Sequence, residues 1–148
     1  MKRRWATLVC RVGILLLIGT TFLVGTINTF GDIPRTQAAY AREDALVREL
    51  LHLGATHIYS EYWTCNRLIF ASDERILCAS LNEKLGPGFD RYLPYRTIVN
   101  ADPHHAYVFP LHSSQATAFA EIHQDDTRYR QYVVDGYVIY QIDVSSTN

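Results

Sequence analysis

Residues 55–81 read ATHIYSEYWTCNRLIFASDERILCASL, and the interpretation of this stretch decides the fold. Ala55 to Ser60 is a short run with β-branched and aromatic residues and predicts a buried strand. Ser60 is placed to cap a helix from Glu61 to about Ala71, which carries Trp63, Leu68, Ile69 and Phe70. Ser72-Asp73-Glu74 turns the chain, and Arg75 to Leu81 supplies a second strand. Strand, helix and strand in that order make a βαβ unit, whose strands run parallel through a right-handed crossover.

Working outward, the residues before this unit predict a helix from Gln37 to Leu53, with Thr36 as its cap. Leu46, Leu50 and Leu53, with Val47 and Leu51, fall at helical spacing, and Gly54 ends the run. After the unit, Gly86-Pro87-Gly88 is a loop. A helical segment is expected from about Pro94 to Ala101, stopped by Pro103. Ala106 to Pro110 predicts a third strand. Ser113 or Ser114 caps a helix to about Asp125, with Ala116, Phe119, Ala120 and Ile122 facing inward. Arg128 to Val134 and Tyr137 to Asp143 flank Asp135-Gly136, the signature of a two-residue type I′ hairpin. The expected class is therefore α/β: a small Rossmann-like three-layer domain with a mainly parallel sheet and a C-terminal β-hairpin.

The first 31 residues are of another kind. Val12 to Phe30 holds no ionisable side chain. As a helix it would span roughly 28 Å, about the hydrocarbon thickness of a bilayer. Lys2, Arg3, Arg4 and Arg11 precede it, with Trp5 placed as an interfacial ring. The expected organisation is a cytoplasmic stub and transmembrane anchor over 1–31 and an extracytoplasmic domain over 32–148. A cleaved signal peptide is the rival reading, because Ala39-Tyr40-Ala41 matches an A-x-A site. Either reading exports the domain, and the localisation expected is a single pass of the plasma membrane with the N-terminus cytoplasmic. Cys65 and Cys78, the two cysteines of the exported part, either form a disulfide there or remain two buried thiols.

From residue 32 onward, ten Lys/Arg face fifteen Asp/Glu, a net charge near −5. An acidic domain without a basic stripe excludes nucleic acid as an expected partner. His104 and His105 are adjacent, and no His or Cys spacing suits a metal. No Gly-x-Ser-x-Gly elbow is present and Cys65 lacks an evident base, so no catalytic residue and no cofactor is expected. In open parallel sheets, ligands sit beyond the carboxyl ends of strands. That edge gathers Glu61, Tyr62, Trp63, Asn66 and Arg67 after the first strand, with Arg91, Tyr92 and Tyr95 as further candidates. Rings beside a carboxylate, an amide and a guanidinium suit a sugar or a polar head group. The alternative is that Tyr62 and Trp63 pack the helix onto the sheet while Glu61 serves its first turn.

Thr56-His57-Ile58-Tyr59-Ser60-Glu61-Tyr62-Trp63, followed by Phe70-Ala71-Ser72-Asp73-Glu74, resembles the soluble tail of polytopic bacterial GT-C glycosyltransferases. These are the dolichyl-phosphate-mannose–protein mannosyltransferase-like proteins of family 39, whose tails carry a THxYSDYW junction and an F-x-S-x-E turn. Tyr92-Leu93-Pro94-Tyr95 and Ala101-Asp102-Pro103-His104 through Phe109 resemble the same tail further on. Glu61 stands where that motif has Asp. The resemblance implies a glycosylation context and a polyprenyl-phosphate sugar donor, but the family's catalytic acids lie in a membrane region that has no counterpart among these residues. The expected function is a non-catalytic, membrane-anchored domain that binds glycan or docks on a polytopic glycosyltransferase. The alternatives are a small envelope transferase or hydrolase, or a truncated relic.

Overall fold

The computed structural model describes residues 2–142, which fall into two compact units, Met1–Ala39 and Tyr40–Asn148. Four helices and five strands are found among the described residues: α1 (Lys2–His52), β1 (His57–Ser60), α2 (Tyr62–Ala71), β2 (Leu77–Ser80), α3 (Leu93–Ala101), β3 (Ala106–Pro110), α4 (Ser114–Ile122), β4 (Tyr129–Val134) and β5 (Tyr137–Ile142).

In the first unit, Arg11–Gly31 is long and apolar enough to cross a membrane, a property that signal sequences share. The hydroxyls of Thr20, Thr21, Thr26 and Thr29 donate to carbonyls four residues earlier, at 2.8–2.9 Å. Those bonds hide the polar groups of an otherwise apolar surface. The expected helix start at Thr36 is not found. Thr36 lies inside α1, which runs continuously through Pro34. Proline there removes one backbone bond, but no turn residue follows to redirect the chain, and the good helix formers from Gln37 onward propagate back into it.

The second unit holds one five-stranded sheet in the order β2-β1-β3-β5-β4. β1 pairs in parallel with β2 and β3, while β3–β5 and β5–β4 are antiparallel. The expected mainly parallel sheet is thus a mixed one. The cause is the hairpin: Asp135 and Gly136 both have positive φ, as a type I′ turn requires, and they fold β5 back between β3 and β4. Asp143, expected in that last strand, lies outside the described residues.

Alternation along the strands splits the core in two. Ile58, Cys78, Ala106, Val108 and Ile139 meet Leu46, Val47 and Leu50 of α1 and Cys65 and Leu68 of α2. Phe109, Val138 and Tyr140 meet Ala116 and Phe119 of α4, flanked by Tyr59 and Tyr107. Tyr59 also donates to Asn100 of α3 at 2.5 Å. The chain moves from β1 outward to β2 and then back across to β3, so the sheet changes direction at β1.

Local chemistry sets the ends. Gly54, at φ +70°, closes α1 with bonds from its own N–H to Leu51 and from the Ala55 N–H to Leu50, a Schellman motif. Ser113 caps α4, donated to by the Ala116 N–H at 3.1 Å. Of the four residues expected to face inward, Ala116 and Phe119 are buried, joined by Gln115, while Ala120 and Ile122 are exposed. A helix this short has room for about one buried stripe, and Phe119 centres it.

Candidate functional site

Glu61 rather than Ser60 caps α2. Its carboxylate accepts from the Trp63 and Thr64 N–H groups at 2.9 and 2.7 Å and from the Thr64 hydroxyl at 2.6 Å. An anion in that place complements the positive end of the helix. Ser60 completes β1, and its buried hydroxyl donates to the Val108 carbonyl, tying β1 to β3.

With its first turn fixed this way, α2 presents Tyr62, Cys65, Asn66 and Ile69 toward the edge strand β2. The connection from β2 to α3 closes over them, and the two sides enclose a pocket of about 190 Å³. Cys78 and Ser80 of β2, Phe89 to Tyr92 of the connection, and Tyr95 of α3 complete its lining. Cys65 and Cys78 form a disulfide, Cα to Cα 5.2 Å, buried beneath this pocket. It joins α2 to β2 and resolves the choice between bridge and free thiols.

The bridge closes a 13-residue separation, for which chain entropy gives a contribution of about 3 kcal/mol. Replacing both cysteines by alanine should therefore lower the melting temperature by roughly 12–24 °C for a unit of this size. A thermal scan of the wild type with and without reductant checks it. An unchanged melting temperature on full reduction would show that the bridge contributes nothing.

The connection is held down by a partly buried ion pair. Arg96 of α3 bonds the Asp90 carboxylate and also donates to the Ser80 carbonyl at 2.5 Å. Asp90 accepts from the Ser80 N–H at 2.7 Å, and the Ser80 hydroxyl donates to the Phe89 carbonyl at 2.6 Å. Gly88 lets the backbone approach this closely: a Cβ there would lie 2.7 Å from the Ser80 hydroxyl. Nothing in the sequence pattern marked Phe89, Asp90 or Arg96. The one available hint was the Gly86-Pro87-Gly88 loop, whose glycines signal close backbone approach.

On this frame the rings make an open wall. Trp63 is 65% exposed, with its ring edge-on to Tyr62 at 5.1 Å, and Phe89 lies 5.9 Å from Tyr62 on the other side. The Arg91 guanidinium sits over the Tyr62 ring and donates to its hydroxyl at 2.8 Å. Tyr92 and Tyr95 meet edge-on at 4.8 Å. Desolvation, followed by a hydrogen bond to Glu74, pushes the Tyr95 hydroxyl above its ordinary range. Asn66 donates to the Tyr62 carbonyl at 2.7 Å, which leaves its amide oxygen available.

Of the residues singled out in the sequence, Tyr62, Asn66, Arg91, Tyr92 and Tyr95 line the pocket together. Trp63 stands beside it. Glu61 is engaged as a cap, and Arg67 pairs with Glu43 of α1 at 3.0 Å. Trp63 is therefore not core, whereas Tyr62 is half-buried between wall and helix.

No known family, curated protein or solved structure matches the chain.

A second polar cluster lies toward the amino ends of the strands. His57 of β1 meets the Asp102 carboxylate at 2.6 Å, and His105 bonds the Asp102 carbonyl at 2.7 Å. Burial alone would raise the Asp102 carboxyl. The His104 N–H bond and His57 outweigh it and hold it below the usual range. These contacts fasten α3 to β1 beneath the sheet edge. Among the described residues no group of three or more His, Cys, Asp or Glu side chains is placed to hold a metal.

Proposed function

We propose that this chain is a membrane-anchored, extracytoplasmic binding module for glycan, accessory to or derived from a bacterial membrane glycosyltransferase of the protein-mannosyltransferase type. The observation that carries the reading is the pocket itself. Partly exposed rings, set edge-on or tilted to one another beside an amide and a guanidinium, suit the apolar faces and hydroxyls of a sugar. The resemblance of Thr56 to Trp63 to the glycosyltransferase tails supplies the context. A Rossmann-like three-layer arrangement agrees with the reversal of strand order at β1, which sends ligands to the carboxyl edge. The basic residues before the apolar stretch favour a cytoplasmic N-terminus, and the Cys65–Cys78 bridge favours an oxidising compartment for the domain.

Calorimetric titration of the full chain in lipid nanodiscs tests this reading, with methyl glycosides of glucose, mannose and galactose and the matching uronosides. Binding with a dissociation constant on the order of 1 mM is expected for at least one sugar. Trp63→Ala should weaken it by about tenfold while leaving stability within about 0.5 kcal/mol, because the ring is exposed. Absence of binding by every sugar in the panel would overturn the reading. In that case the exposed Phe70 and Leu93 favour docking on a polytopic partner, which co-purification from native membranes would capture.

A further inference from the structure

We infer that the pocket is built for an acidic sugar, one pyranose ring carrying a carboxylate or phosphate that Arg91 receives. The inference rests on the glycan reading above and deepens it. It starts from charge. The residues from 32 onward carry a net charge near −5, yet the pocket lining holds one acid, Asp90, and one base, Arg91, and only the acid is already paired. Asp90, an acid in the lining, is neutralised: one oxygen takes the Ser80 N–H and the other takes Arg96. Glu61 is turned into the cap of α2, and Glu74 meets the Tyr95 hydroxyl. Arg91 has no carboxylate partner among the described residues; its bond is to the Tyr62 hydroxyl through Nε.

That single bond matters for what is left over. With Nε held by the Tyr62 hydroxyl and the guanidinium carbon 5.7 Å from its ring centroid, the terminal nitrogens are left free of a protein anion. A guanidinium oriented before the ligand arrives loses little side-chain freedom on binding, and its geometry matches the two oxygens of a carboxylate or phosphate. Beside it, Tyr62, Phe89 and Tyr92 offer ring faces and edges, and the Asn66 amide oxygen can accept from a sugar hydroxyl. The volume of about 190 Å³ lies below the range of about 300–1,000 Å³ common for drug-sized ligands, so it suits one ring rather than a nucleotide or an extended chain.

The experiment compares three probes on the full chain in nanodiscs of neutral lipid: methyl glucoside, methyl glucuronide and glucose 6-phosphate. The expected result is at least tenfold tighter binding of one or both acidic sugars than of methyl glucoside, weakening as salt is raised. Whichever of the two binds more tightly identifies the source of the anion. Arg91→Gln should abolish the preference, so that the acidic sugars bind no more tightly than methyl glucoside does to the same variant, and Arg91→Lys should restore part of it. Because Arg91 is exposed, both variants are expected to melt with the wild type. Equal binding of all three probes, or an acidic preference that survives Arg91→Gln, overturns this inference and leaves the glycan reading standing. Failure of all three probes to bind overturns the acidic-sugar inference, and if every other sugar of the panel above fails as well the glycan reading falls with it.

Discussion

Phe119→Ala is expected to destabilise the domain by about 3–5 kcal/mol, the range for emptying a buried aromatic site. Total stability for a domain of this size is about 5–15 kcal/mol, so the change consumes a large share of it. Phe119 is 1% exposed, and its ring lies within 4.4–6.0 Å of His123, Tyr107, Tyr140, Tyr129 and Phe109. Apart from it, α4 buries only Ala116 and Gln115 on the sheet, so no other large side chain on that helix can close the cavity. A second readout follows from the same packing. Burial pushes the Tyr107 hydroxyl up to about 12, with a contribution from Tyr129. Water admitted beside Tyr107 in the variant should bring that value back toward 10.0. Urea titration gives the stability change, and phenolate absorbance against pH gives the second. A loss under about 1.5 kcal/mol with an unmoved tyrosine titration would mean that α4 collapses onto the cavity.

Much of this arrangement was legible from spacing alone. The hairpin at Asp135-Gly136, the strand Ala106–Pro110 and the helix after Ser113 each carry a local signal that tertiary contacts do not override. What spacing could not show was where the hairpin docks. Placing β5 beside β3 depends on alternate residues meeting both core clusters, a long-range matter that turns a parallel sheet into a mixed one. The inward face of α4 is legible at Ala116 and Phe119 but not at its far end: Ile122 is apolar and at helical spacing, but it is the last residue of α4 and is exposed. At the site, the rings and Arg91 were visible as types, because aromatic and charged residues clustered after a strand are unusual for a core. The clasp beneath them was not, because Asp90 and Arg96 become partners only when the loop folds over Ser80.

That clasp makes Asp90 the residue on which structure and binding should fail together. The Asp90 and Arg96 side chains are 6% and 18% exposed, so their pairing is largely withdrawn from water. Asp90→Ala leaves the Arg96 charge buried without its counter-ion and the Ser80 N–H without its acceptor, and a loss of about 3–5 kcal/mol is expected. Sugar affinity should fall below detection as well, because Phe89, Arg91 and Tyr92 all ride on the segment that the clasp fixes. Asp90→Asn retains an acceptor for Ser80 but not the charge, and should fall between the two. The decisive comparison is the pair Asp90→Leu with Arg96→Met. Removing both charges together should cost less than the sum of the single changes, by more than about 0.5 kcal/mol, when chemical denaturation is run as a double-mutant cycle. Additive losses would mean that each side chain acts through packing alone, and the loop would then owe its position to Gly88 and the Ser80 hydroxyl. Coupled losses, with binding lost in both single variants, would make the ion pair the support of the pocket: its oxygens are spent on Arg96 and the Ser80 N–H, and through them it sets where the rings and the guanidinium stand.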